Sequence, residues 1–260
     1  MKRRGGVTMK NTIFYIGGSK GGIGKSMISM VLVQFLLERY GASKEIHLIE
    51  TDESNPDVGR IYSGKIPVSA FILDEREAGW ITFFDLLERK QNTLFVVNSA
   101  ARSNYGIEAN GRNFSSALEE RSELFDLVTF WPINRQLDCV NLLMDYLRVI
   151  QYGSTFVVRN NYYGDPKDFA IYDSMVQKNK NKDLAQSRVN AVLDFPSLND
   201  LITLQFYSYG KTIPEVAELL NVFKRQIFSS WKNKAYEMFE NTGLFDTVAE
   251  TETSSAGGAK

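Results

Sequence analysis

Short apolar runs rich in β-branched and aromatic residues alternate along this chain with longer stretches whose apolar residues recur every three or four positions. The first pattern suits strands buried on both faces, the second helices packed along one side. Strands are predicted at Ile13–Ile16, Glu45–Glu50, Val68–Leu73, Thr93–Asn98, Leu127–Trp131, Thr155–Asn160 and Val189–Phe195. Helices are predicted between them at Met27–Tyr40, Trp80–Lys90, Phe114–Phe125, Leu137–Gln151 and Phe169–Asn179. Such alternation builds an α/β domain, a mainly parallel sheet with helices on both faces. The last periodic stretch, Pro214 to Phe239, carries Val216, Leu219, Leu220, Phe223, Ile227, Trp231, Ala235 and Met238 at steps of three and four. It predicts one long closing helix, with Lys224, Arg225, Lys232 and Lys234 off the apolar stripe.

Between the first strand and the first helix the chain reads Gly17-Gly18-Ser19-Lys20-Gly21-Gly22-Ile23-Gly24-Lys25-Ser26. Glycines at 21, 22 and 24 keep Cβ atoms out of the way, so successive backbone N–H groups can wrap a polyphosphate at the positive end of a helix dipole. Lys25 is then placed for the β- and γ-phosphates and the Ser26 hydroxyl for Mg²⁺. The usual phosphate loop has glycine where this chain has Ser19, and this variant carries an extra lysine, Lys20.

The spelling K-G-G-x-G-K-S straight after a strand resembles the deviant phosphate loop of the ParA/MinD family of ATPases, including ParA-like proteins of plasmid partition and mobilisation. The resemblance implies an ATP site built from Lys20, Gly21, Gly22, Ile23, Gly24, Lys25, Ser26 and Met27. It also implies a nucleotide-sandwich homodimer in which Lys20 reaches the partner protomer's nucleotide. Ligands in such sheets bind beyond the carboxyl ends of the strands, which selects four further places.

Glu50-Thr51-Asp52 resembles the family's first acidic switch, so Asp52 is expected to position the attacking water and help hold the metal shell. Asn98, after Phe95-Val96-Val97, stands where the family usually has aspartate; an amide still hydrogen-bonds a metal-bound water but carries no charge. Either metal affinity is weaker or Asp52 supplies most of the charge, and hydrolysis is expected to be slow. Phe130 to Gln136 reads as an ordinary strand-to-helix turn with Asn134 as N-cap, or as a segment that reaches the nucleotide. Asn160 resembles the adenine-contacting position, with Asn161 the open alternative. The expected roles are thus catalytic for Lys20, Lys25 and Asp52, and metal-binding for Ser26, Asp52 and Asn98.

Composition narrows the choice. Of 260 residues, 43% are hydrophobic and 23% charged, as in ordinary soluble domains. A net charge of −1 gives no bulk attraction to nucleic acid or anionic lipid, so DNA binding would need a local patch such as the basic residues of the closing helix. One cysteine, Cys139, excludes an intrachain disulfide and cysteine-pair metal sites; it reads as a small apolar residue, and the single His47 as a structural one. No run is long and apolar enough for a membrane span, and the basic leader at 1–9 has no apolar region of a secretory signal, so a cytoplasmic protein is expected. Met9 is an alternative start, and the leader and the polar tail at 246–260 are expected to be disordered around one domain at 10–245.

Three functions fit. The first is a dimerising Mg-ATPase that partitions or positions plasmid DNA or a conjugation complex through a centromere-binding or relaxosome-type adaptor. The second is a small-molecule enzyme on the same scaffold, similar to dethiobiotin synthetases or amidoligases. The third is a nucleotide-binding module that barely hydrolyses. Lys20 favours the first and Asn98 the third.

Overall fold

The computed structural model describes residues 10–18, 20–52, 55–177 and 179–245. The expected disordered leader and tail lie outside them, as do Ser19, Glu53 and Ser54.

Seven strands form one sheet: β1 (Asn11–Ile16), β2 (Glu45–Glu50), β3 (Val68–Ala70), β4 (Thr93–Asn98), β5 (Phe125–Ile133), β6 (Ser154–Asn160) and β7 (Val189–Phe195). Their order is β3-β2-β4-β1-β5-β6-β7 and every pairing is parallel, so all carboxyl ends share one edge. The connecting helices are α1 (Lys25–Tyr40), α2 (Asp57–Tyr62), α3 (Glu77–Arg89), α4 (Asn104–Glu120), α5 (Leu137–Val149), α6 (Ala170–Val176), α7 (Asn179–Arg188), α8 (Asp200–Tyr209), α9 (Ile213–Leu219) and α10 (Val222–Glu240).

Side chains alternate across each strand, and the two faces feed two separate cores. Phe14 and Ile16 of β1 pack with α1, α2, α8, α9 and α10, whereas Ile13 and Tyr15 pack with α3, α4 and α5. Helix α1 buries residues nearly all round because the sheet lies on one side and α2, α9 and α10 on the other. Helices on both faces of a parallel sheet is the architecture the sequence predicts.

Several boundaries differ. β3 stops at Ala70, three residues early, and β5 is longer at both ends than its apolar run. Helix α4 starts at Asn104 and ends before Phe125, which belongs to β5. The stretch predicted as one helix at 169–179 is a 3₁₀ turn (Pro166–Phe169) followed by α6 and α7, while α2 and α8 had no strong periodicity to announce them. The long closing helix is two helices. Leu220 is extended and Asn221 caps α10, its side chain accepting from Lys224 N at 2.9 Å; asparagine favours a cap over a helix interior. The break rotates the stripe. Val216, Leu220, Trp231, Ala235 and Met238 stay buried, but Leu219, Phe223 and Ile227 are exposed. Two of the basic residues serve the fold itself, Arg225 bonding the Ala217 and Leu220 carbonyls and Lys232 meeting Glu38.

Candidate functional site

The loop after β1 sits at the centre of the sheet's carboxyl edge, between the ends of β4 and β5. Gly24 takes φ +101°, a conformation that strains any residue with a Cβ, and it starts α1 without a side-chain cap. A Cβ added at Gly21 or Gly22 meets nothing within 4 Å, so the loop faces open space. The first N–H groups of the 16-residue helix thus have no side-chain cap beside an open loop, an arrangement that suits an anion. The Lys25 ammonium closes the loop by donating to the Lys20 carbonyl at 2.8 Å. Burial lowers its pKa to about 8, an effect that the Asp52 carboxylate opposes. A half-dehydrated cation beside uncapped amides is what a polyphosphate would stabilise.

The Lys20 side chain folds across its own protomer. It donates to the Gln136 carboxamide and lies 3.1 Å from the Asp138 carboxylate, at the start of α5. The segment ending β5 thus reaches the loop. Gln136 is the helix N-cap, and Asn134, expected in that role, instead accepts from Gln136 N at 2.9 Å and from the Cys139 thiol at 3.1 Å. Cys139 is buried in the core as anticipated, and the largely buried His47 meets Ser69 through Nε2 at 3.0 Å.

At the ends of β2 and β4 a hydrogen-bonded chain crosses four elements. Ser29 Oγ, one turn beyond Ser26 on α1, donates to Asn98 Oδ1 at 3.1 Å; Asn98 Nδ2 donates to Glu50 Oε2 at 3.0 Å; and Glu50 Oε1 accepts from Gly59 N of α2 at 2.6 Å. Glu50 is 1% exposed, and burial raises its carboxyl to a pKa of about 7 against the opposing pull of these two donors. Asp52 lies further out, its Oδ1 accepting from Asn55 N at 3.1 Å. Ser26 lines a small cleft with Asp57, Arg60 and Phe206.

On the other flank Asn160 is 6% exposed, its Nδ2 donating to Ile23 O at 2.9 Å and its Oδ1 accepting from Tyr162 N at 3.1 Å. Tyr163 OH donates to the Gly22 carbonyl. These bonds pin the loop to the end of β6. A cleft of about 250 Å³ opens beside them, lined by Gly22, Gly24, Met27, Asn160, Tyr162 and Tyr163 together with Phe195, Pro196, Leu198 and Trp231. Of the two asparagines left open by the sequence, Asn160 is the one that lines it.

No family model matches the chain. It is 35% identical to protein MobD of Acidithiobacillus ferrooxidans over 232 residues, which covers 89% of this chain and 98% of that protein. The chain belongs to the MobD family. Solved structures similar to it include the MinD cell division protein of Aquifex aeolicus, with a TM-score of 0.45, 14% identity and 88% of this chain and 97% of that one covered. A nucleotide-binding protein of Archaeoglobus fulgidus in complex with ADP gives a TM-score of 0.41, 10% identity and coverage of 74% and 84%. MobD fits the mobilisation-type ParA-like proteins that the loop resembles.

This MobD-family chain gathers every predicted site residue at one edge of the sheet: Lys20 to Met27, Asp52, Asn98 and Asn160. What the sequence did not single out are the partners Asp138 and Tyr163; Glu50 was read only as the first acid of the switch, and Gln136 only as part of the segment after β5. Gly24→Ala tests the packing of the MobD-family loop. Its Cβ would fall 2.4 Å from Asn160 Nδ2 at a positive φ, so the variant should lose about 1–3 kcal/mol in urea unfolding. Wild-type stability would contradict this geometry.

Proposed function

We propose that this chain binds Mg-ATP, dimerises around two nucleotides and hydrolyses ATP slowly to position a conjugation or mobilisation complex. The observation that carries the reading is the buried Lys25 ammonium, its pKa lowered by desolvation, beside an uncapped helix start and an open glycine loop.

The phosphates lie against the amides of Gly21 to Ser26, with Lys25 on the β- and γ-phosphates. The residues fit a hard cation held mainly by phosphate and water: Ser26 offers a hydroxyl, Asp52 a carboxylate and Asn98 an amide. Among the described residues no cluster of three or more acidic, histidine or cysteine side chains would hold a metal alone. When bound, Mg²⁺ neutralises the charge that develops on the phosphates. Asp52 orients the attacking water, and Asn160 with the apolar walls of the neighbouring cleft receives the base. Lys20 leaves Asp138 to reach the nucleotide of a second copy. Non-specific DNA and a relaxosome-type or centromere-binding adaptor stand as the outward partners.

Calorimetry with Mg-ATP should give saturable binding of one nucleotide per chain, and no binding would overturn the proposal. Asp52→Ala should keep ATP affinity within a few-fold while phosphate release falls by at least about 100-fold. Wild-type turnover in that variant would reassign the water-positioning role. The presence of Asn98 rather than an acid favours one second reading, a nucleotide-binding switch with almost no turnover. Phosphate release near zero in the wild type, with dimerisation retained, is its signature.

A further inference from the structure

The end of β4 carries an amide where a cation site would be better served by a charge, yet the charge is 3.0 Å away on the neighbouring strand. Asn98 Nδ2 donates to Glu50 Oε2, and Glu50 is almost completely buried. A buried carboxylate without donors would be expensive to keep, and here each oxygen has one: the Asn98 amide and Gly59 N. The approach to α2 is close enough to need glycine, since a Cβ at Gly59 would sit 2.8 Å from Glu50 Cγ. On its other side Asn98 Oδ1 accepts from Ser29, three residues after Ser26 and hence on the same face of α1. The pair therefore meets the side of α1 that carries Ser26, about one turn further along the helix than the hydroxyl assigned to the cation.

We propose that Glu50 and Asn98 form one split acid, in which Asn98 presents the hydrogen-bonding oxygen to the metal's water shell and Glu50, held behind it, supplies the negative charge. This rests on the Mg-ATP reading above and adds a positioning residue to it. Aspartate at 98 with Glu50 retained would set two carboxylates about 3 Å apart, which cannot both stay ionised at no cost. The amide is thus the complement of Glu50 and not a lost acid. The pair also explains why Asp52 need not carry the whole charge of the site.

The test is ATP affinity by calorimetry, with Mg²⁺ and with EDTA, in wild type, Glu50→Gln, Asn98→Asp and the double variant Glu50→Gln/Asn98→Asp. The Mg²⁺-dependent gain in affinity should fall about tenfold or more in Glu50→Gln, the scale of losing a residue that supports a metal's ligands, while affinity in EDTA is unchanged. Asn98→Asp alone should melt at lower temperature than wild type. The double variant moves the charge directly to β4 and should recover both the melting temperature and the Mg²⁺-dependent gain.

A purely structural role for Glu50 predicts otherwise: Glu50→Gln would keep the full Mg²⁺ effect, and the double variant would add nothing. Either result overturns the proposal. If Glu50→Gln fails to fold, the double variant decides alone, since recovery of the Mg²⁺ effect supports the split acid and its loss in a folded protein refutes it. Wild-type protein that binds ATP equally with Mg²⁺ and EDTA would overturn this inference only, whereas wild-type protein that binds no ATP would remove the underlying reading as well.

Discussion

Lys25→Ala should weaken Mg-ATP binding by roughly a hundredfold or more. Removing one partner of a buried ion pair costs about 3 kcal/mol or more, which is over two decades in affinity, and Lys25 is 8% exposed at the mouth of the loop. The pH dependence separates binding from folding because the two have opposite signs. The lysine pKa falls from 10.5 in the unfolded chain to about 8 in the folded one. Between those values the unfolded chain holds more protons, so the stability of the nucleotide-free protein rises with pH over that window. Below pH 8 the buried charge opposes folding in full. Phosphate binding needs the protonated form, so affinity should drop as pH rises through about 8. Nucleotide-free Lys25→Ala should therefore melt no lower than wild type at pH 7 and lack the gain in stability between pH 8 and 10.5. An unchanged ATP affinity by calorimetry would remove the phosphate-loop assignment.

Lys20→Gln should stay monomeric in Mg-ATP while binding nucleotide as wild type does. A charge that serves the second protomer's phosphates matters only when both sites are filled, so nucleotide binding and assembly are linked through it. Light scattering in an Asp52→Ala background, where hydrolysis does not empty the sites, should show a dimer that the further change Lys20→Gln abolishes. The contact with Asp138 must be released first. Its side chains are 33% and 71% exposed, so each pair holds by no more than about 1 kcal/mol; two are released per dimer, and Asp138→Asn should lower the dimer dissociation constant by no more than about thirtyfold. A Lys20→Gln protein that dimerises normally with ATP would return the small-molecule enzyme to favour.

Strands β2 and β4 begin and end as predicted, because a strand buried on both faces has no polar face to blur its limits. Helix α4 shows the opposite case. Its first half, Asn104 to Asn113, contains Gly106 and Gly111, which read as breakers. A Cβ at Gly106 would meet the Leu73 carbonyl oxygen at 2.0 Å, and one at Gly111 the Val149 side chain at 2.8 Å. Those glycines answer to neighbours remote in sequence. The site divides the same way. The phosphate loop is local and its residues spell its chemistry, whereas the Ser29–Asn98–Glu50–Gly59 chain joins four elements and exists only once they are packed. The stripe of α9 and α10 was read through a cap, since Asn221 looks the same on a helix face as at its start.

The bond from Asn160 to the Ile23 carbonyl spans 137 residues of chain, and β1 itself pairs only with β4 and β5. On a ribosome the strand and glycine loop emerge well before their neighbours: β1 has nothing to pair with until β4, ending at residue 98, is out, and its other side stays open until β5 follows at residue 130. The loop is not pinned until residue 160 follows. Nascent chains halted before that point carry the complete glycine-rich sequence without the bond that pins it. The loop is thereby fixed late in synthesis, long after its own residues have been made.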